Sequence, residues 1–301
     1  NCMSREILLQ CGDLVAGIAP GSGGSVSRFS SEQEGIKTNW LRPASAADLS
    51  DLSDLAAGGP LGMGCFPLVP FSNRIRNGRF QFQDKSVQLP LNFGDHPHAI
   101  HGHGWENSWS IEQQTADSLV LGYVHDADVW PWTYRAQQVF RLDDTSLTIE
   151  LSLTNESDSD MPAGLGLHPY FPHSAGVTIT ATVAAMWQVD DEVMPVKLVE
   201  PLSSADPNSG LNVTTTILDN GFTGWHKCAV LRWPERNRGL VMTATGPLDH
   251  LVIFTPENEE FFCVEPVSHS TDAVNAAEQS AGMISLPPGE TVTASVKFEI
   301  A

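Results

Sequence analysis

Apolar and polar residues alternate along much of this chain. Leu147, Ile149, Leu151 and Leu153 alternate with Thr148, Glu150, Ser152 and Thr154. Val292, Ala294, Val296, Phe298 and Ile300 alternate with Thr293, Ser295, Lys297 and Glu299, and the segments 177–183 and 79–83 follow the same rule. A period of two sends successive side chains to opposite faces of an extended backbone, so each segment predicts a strand with one buried face. Asp84-Lys85, Asp143-Asp144 and Asn155-Glu156 fall between such runs as turn material. Helical periodicity is thin. Residues 44–57 predict one short helix, with Ser50 or Ser53 as an internal boundary, and residues 273–280 predict a turn or two. The 25 glycines and 20 prolines are spread evenly, so no stretch reads as a linker, and no fixed-period repeat stands out. The pattern predicts an all-β chain: residues 1–301 as one large antiparallel β-sandwich domain with few short helices. Function would then lie on loops and strand ends.

Composition narrows the partners. The 36 acidic side chains outnumber the 16 basic ones, a formal charge of −20. That field repels nucleic acid and anionic membrane surfaces, so a small neutral molecule is the expected partner. No segment approaches the ~20 apolar residues of a membrane span. Residues 1–20 lack a basic stretch followed by a long apolar one, which argues against a signal peptide. Asn1 and Cys2 precede Met3 and belong to no predicted element. Cys2, Cys11, Cys65, Cys228 and Cys263 form no C-x-x-C and are odd in number, the usage expected of reduced thiols in a cytoplasmic protein. Oligomeric state cannot be read from any of this.

Five stretches carry chemistry. In the turn-rich run 64–80, Asn73-Arg74 falls where prolines and glycines end, and Arg74 can offer a forked pair of donors to hydroxyls or pair with a surface carboxylate. Residues 95–105 hold His96, His98, His101 and His103. Histidine-rich tracts bind zinc or copper, but no cysteine stands at useful spacing, and Pro97 with the glycines suggests turns rather than a ligand-presenting element. His101 beside Gly102 is the expected ligand contact, and the other three are expected in turns or at the surface. His168, in Gly164-Leu-Gly-Leu-His-Pro-Tyr-Phe171, reads as a strand residue ending at a site or as a satisfied core histidine. Glu265, in Phe262-Cys-Val-Glu-Pro-Val-Ser-His269, is a carboxylate inside an apolar strand, costly to bury unless paired or functional. Asp219 can accept two hydrogen bonds from adjacent hydroxyls and Trp225 can stack on a sugar ring; the alternative is an Asx-turn at 219–221 and a packed tryptophan.

Taken in order, Asn73-Arg74-Ile75, Ile100-His101-Gly102, Gly166-Leu-His168-Pro-Tyr170, Asp219 and Glu265 followed by Asp272-Ala-Val-Asn275 resemble the aldose 1-epimerase (galactose mutarotase) family over residues 10 to 300. The likeness is greater to its bacterial mutarotase-like branch, because His103-Gly104-Trp105 follows the His-Gly pair and the glutamine contact of some members has no counterpart. The resemblance implies a large β-supersandwich and cofactor-free interconversion of sugar anomers. It makes His168 the general acid, Glu265 the general base, and Asn73, Arg74, His101, Tyr170 and Asp219 substrate contacts, with no metal. Ordinary pKa values near 4.3 and 6.5 then predict an ionised Glu265 that raises the pKa of a protonated His168. Three rivals share these residues: an epimerase of hexose 6-phosphates, a non-catalytic sugar-binding protein, and a metal-dependent isomerase built on His96–His103.

Overall fold

The computed structural model describes residues 6–50 and 59–301. Two large antiparallel sheets dominate. One, of 11 described strands, runs in the order Ile7–Cys11, Leu14–Ala19, Ser25–Gln33, Cys65–Leu68, Gly166–Pro172, Phe261–Val267, His250–Phe254, Asp219–Thr223, Ala185–Val189 and Pro195–Val199, with Ile36–Leu41 paired to Ser25–Gln33. The other, of nine, runs Ser110–Gln114, Ser118–His125, Tyr134–Leu142, Ser146–Asn155, Thr291–Ile300, Leu240–Thr245, Cys228–Arg232, Thr178–Ala181 and Leu211–Asn212. The sheets meet across a shared core in which Phe29, Phe171, Phe222, Phe262 and Val264 of the first join Leu119, Ile149, Leu151 and Phe298 of the second. All-β architecture is therefore as the alternation predicts.

Three of the four alternating segments read from sequence lie in the second sheet, where register places Leu147 opposite Phe298 and Ile149 opposite Val296, while Arg79–Phe82 pairs with Lys85–Gln88 in a separate two-stranded sheet. Asp143 closes the turn before Ser146–Asn155 by accepting from the Thr145 and Ser146 amides at 2.8 and 2.7 Å. Helix content is small, as expected. Of the predicted 44–57 helix, Ala46–Ser50 is helical and residues 51–58 lie outside the described residues. The 273–280 region forms two 3-10 turns, Ala273–Asn275 and Gln279–Ala281.

The first sheet is covered on both faces, which explains why its central strands read as unbroken apolar runs. Along Phe261–Val267, Phe262 and Val264 enter the main core, while Cys263 and Val267 join a smaller cluster with Phe66, Leu68, Ile100, Trp105, Tyr170 and Val252. That smaller cluster floors the pocket described next.

Candidate active site

His168 and Glu265 are set by one strand pair. Gly166 lies opposite Val267 and Tyr170 opposite Cys263, so the antiparallel register brings His168 level with Glu265 on the same face. His168 Nε2 lies 3.3 Å from Glu265 Oε1, with the side chains 9% and 4% exposed. Phe66 and Tyr170 stack on the imidazole at ring-centroid distances of 4.5 and 4.7 Å. His168 Nδ1 is buried with no hydrogen-bond partner among the described residues.

This apolar floor corrects the charge state expected from sequence. Burial pushes the His168 imidazole down to about 3. Burial, reinforced by the neighbouring Asp219 carboxylate and opposed by Arg74, holds the Glu265 carboxyl well above the usual carboxylate range. Desolvation is the largest cause at both groups and penalises both charged forms. Burial thus favours the neutral forms of both groups over the ion pair.

A tight loop pairing brings up the next three residues. The two-residue strands Arg74–Ile75 and Ala99–Ile100 pair, with Arg74 opposite Ile100. At their ends, Asn73 (φ 58°) and His101 (φ 65°) both adopt left-handed backbone, which is uncommon outside glycine and clusters at functional sites. The His101 amide donates to the Asn73 carbonyl and the Asn73 amide donates to His101 Nδ1, each at 3.0 Å. An Nδ1 that accepts leaves the single proton of neutral imidazole on Nε2, so His101 is a hydrogen-bond donor there. Burial, with His168 and Arg74 nearby, keeps its pKa well below the ordinary value. Gly102 follows at φ 71°, where an added Cβ would collide with the Val69 carbonyl. Asn73 Oδ1 accepts from the Arg74 amide at 2.9 Å and from Arg74 Nη1 at 3.1 Å, and Arg74 Nε donates to His96 Nε2 at 3.1 Å.

Asp219 opens a strand rather than an Asx-turn, and its Oδ2 lies 3.8 Å from Arg74 Nη2. Burial raises its pKa and Arg74 opposes the shift. These groups surround a cavity of about 300 Å³, lined by Asn73, Arg74, His101, His168, Tyr170, Asp219 and Glu265, with Arg42, Leu61, Phe93, Ile100, Phe254 and Phe261 completing the wall. Such a volume sits at the small end of ligand pockets.

Trp225 does not reach this cavity. It is 2% exposed in the main core, and its indole donates to the Cys228 carbonyl at 3.0 Å. Gly224 at φ 62° precedes it, the packed reading holds, and the stacking face must come from elsewhere. Tyr170, Phe254 and Phe261 supply aromatic surface instead. Arg42 was not singled out from sequence either. Its guanidinium lies 3.8 Å from the Tyr170 ring centroid and 4.8 Å from that of Phe261, and it donates to the Leu61 and Met63 carbonyls. Leu-Arg-Pro around position 42 carries no local signal for such a contact.

The histidine-rich tract runs through bends, as expected, though not all of it lies at the surface. His98 is fully buried, accepting from the Asn77 amide at 2.9 Å and contacting Glu192 at 2.8 Å. His103 pairs with the Tyr134 hydroxyl at 2.8 Å and stacks on His125. These side chains serve separate structural bonds. Among the described residues, the group whose ligand atoms lie close enough to hold one metal is instead His168, Cys263 and Glu265.

A two-sheet antiparallel sandwich whose central strands present an imidazole and a carboxyl to a small cleft defines a class of acid–base pocket. The aldose 1-epimerase family profile matches residues 21–299, and the chain belongs to that family. It is 34% identical over 244 residues to the uncharacterized protein YphB of Escherichia coli (strain K12), covering 78% of this chain and 83% of YphB. Among solved structures, an Escherichia coli K12 protein described as a candidate aldose 1-epimerase superposes with a TM-score of 0.87 at 30% identity, covering 99% of each chain. A galactose mutarotase-like protein from Clostridium acetobutylicum gives a TM-score of 0.88 at 19% identity, covering 98% of this chain and 95% of that one, a likeness of fold alone.

Proposed function

We propose that this chain is an aldose 1-epimerase that interconverts the α- and β-anomers of free hexoses by acid–base ring opening and closure. The observation that carries the reading is the buried His168–Glu265 pair at 3.3 Å on the wall of a 300 Å³ cavity. Ring opening removes a proton from O1 and delivers one to O5. Both oxygens are bonded to C1, so two groups in contact can each address one of them. The pair must hold one proton in all. Shifting it from Glu265 to His168 produces the carboxylate that takes the O1 proton and the imidazolium that protonates O5. Rotation about C1–C2 presents the other carbonyl face, and the roles reverse on closure. Each acid–base contribution is worth about 10²–10⁴ in rate.

The other contacts follow from donor and acceptor character. His101 Nε2–H and Arg74 would donate to sugar oxygens that gain charge on opening. Asp219 would accept from adjacent hydroxyls, Asn73 would hold Arg74 and His101 in place, and Tyr170 would offer ring face and hydroxyl. No redox cofactor or energy source enters, because the anomers differ little in free energy.

A neutral sugar fits better than a 6-phosphate. The arginines on the pocket wall carry partners that leave few N–H groups for a dianion: Arg74 with Asn73, His96 and Asp219, and Arg42 with two carbonyls and two rings. Arg76 instead pairs with Asp190 and Asp272, Arg79 with Gln88, and Lys227 with Asp249. A phosphate site usually gathers several uncommitted donors. The test is the decay of optical rotation of freshly dissolved α-glucose, α-galactose and glucose 6-phosphate, with and without protein. A larger kcat/KM for a free hexose supports the proposal. A preference for the phosphate that fades with added salt overturns the substrate class, and no acceleration of any sugar favours a binding protein.

A further inference from the structure

Period-two geometry places a third potential ligand beside the acid–base pair. Cys263 precedes Glu265 by two residues on one strand and so shares its face, and it lies opposite Tyr170, diagonal to His168. Cys263 is fully buried, forms no disulfide and joins the cluster that floors the pocket. One ligand atom each from His168, Cys263 and Glu265 lie within 4.8 Å of one another.

We propose that His168, Cys263 and Glu265 form a binding site for zinc or a similar divalent cation, and that the bound cation switches the acid–base pair off. The donor set is imidazole nitrogen, thiolate sulfur and carboxylate oxygen, which suits zinc far better than magnesium or calcium. Ideal tetrahedral bonds of about 2.0–2.3 Å put neighbouring ligand atoms about 3.3–3.6 Å apart. The His168 Nε2 to Glu265 Oε1 separation of 3.3 Å already meets that condition. The Cys263 sulfur lies within 4.8 Å of the other two ligand atoms and needs to close by at most about 1.5 Å. A tetrahedral cation held by three protein ligands would keep a fourth position for water. Binding displaces the protons of the thiol and carboxyl to solvent and occupies the Nε2 lone pair, so neither His168 nor Glu265 can then carry a proton to or from a sugar. The metal is an inhibitor here and not a participant in the reaction.

The binding claim is independent of the proposed activity, whereas the inhibition claim rests on it, and the two are read separately. Cobalt(II) is titrated into chelator-treated protein in which Cys2, Cys11 and Cys228 are replaced by serine. One equivalent should produce a near-ultraviolet cobalt–thiolate charge-transfer band that zinc abolishes. Cys263→Ala should lose the band, and Cys263→Ser, which keeps size and polarity, should lose it too while circular dichroism shows the fold intact. In parallel, zinc should slow mutarotation at least tenfold and a chelator should restore it. Cys263→Ala should need at least about 10–100-fold more zinc for the same effect, the loss that even outer-shell changes cause. No thiolate band, or a band that survives both Cys263 replacements, overturns the site whatever the activity. A bound metal that leaves mutarotation unaffected overturns the inhibition.

Discussion

Replacing Glu265 by Gln and His168 by Gln, singly and together, tests whether the two groups act as one unit. Glu265→Gln keeps the shape and hydrogen-bonding capacity of the side chain but takes no proton. His168→Gln places an amide near the position of Nε2. A general base or acid contributes about 10²–10⁴ in rate. At 1.36 kcal/mol per tenfold, that is about 2.7–5.4 kcal/mol of barrier for each single variant. Independent groups would lose about 5–11 kcal/mol together. The groups lie 3.3 Å apart and share one proton, so the double variant should lose no more than the worse single one. Stability should move the other way. The Glu265 carboxyl is raised in the fold, so its stabilising contribution is complete below its ordinary value of 4.5 and is lost as pH rises through the raised one. The uncharged amide of Glu265→Gln has no such loss. The melting temperature of this variant should exceed that of wild type above about pH 4.5, by a margin that grows with pH. Polarimetric kcat/KM and thermal melts followed by circular dichroism measure both effects. Retention of more than about a tenth of the rate by Glu265→Gln, or a double variant that loses the product of the single losses, would show that the two groups do not act as one acid–base unit.

The alkaline limb of kcat/KM against pH should follow the raised Glu265 pKa, and Asp219→Asn should move it to lower pH by removing the carboxylate that helps raise it; an upward move would contradict the assignment. The acid limb should fall near the His168 value of about 3 rather than in the ordinary histidine range, and a limb at pH 6–7 would show that burial does not dominate. Dialysis against a strong chelator should leave mutarotation undiminished, and activity lost and then restored by zinc or manganese would revive a metal-dependent reaction. Gly102→Ala should cost about 1–2 kcal/mol from its left-handed backbone alone, and more from the collision with Val69, lowering the melting temperature by several degrees and misplacing His101; an unchanged melt would contradict this reading of the loop.

Strands with one buried face were legible because alternation is a local property, as in Ser146–Asn155 and Thr291–Ile300. The glutamate inside Phe261–Val267 was conspicuous because a carboxyl among apolar neighbours is costly without a reason. Sheet order was not legible: Cys65–Leu68 lies next to Gly166–Pro172 through pairings between segments a hundred residues apart. Arg42 escaped notice for the same reason, since its ring contacts are with residues 170 and 261. Trp225 by itself reads more readily as a packed tryptophan than as a ligand contact, and its 2% exposure in the core agrees with that. The charge state of the pair depends on desolvation by Phe66, Tyr170 and the strands beneath them, which no spacing of residues conveys. His98 and His103 lie in bends, as nearby glycine and proline suggest, but their long-range partners Glu192 and Tyr134 were not legible.

The most direct measurement is magnetisation exchange between the α and β anomeric protons of glucose and galactose at equilibrium, with catalytic amounts of protein. No net reaction occurs there, so exchange reports ring opening and closure alone. Wild-type protein should produce exchange cross-peaks that scale with its concentration, and Glu265→Gln should abolish them while remaining folded. Cross-peaks absent with wild type for every hexose, or undiminished in Glu265→Gln, would contradict the claim that His168 and Glu265 carry anomer interconversion.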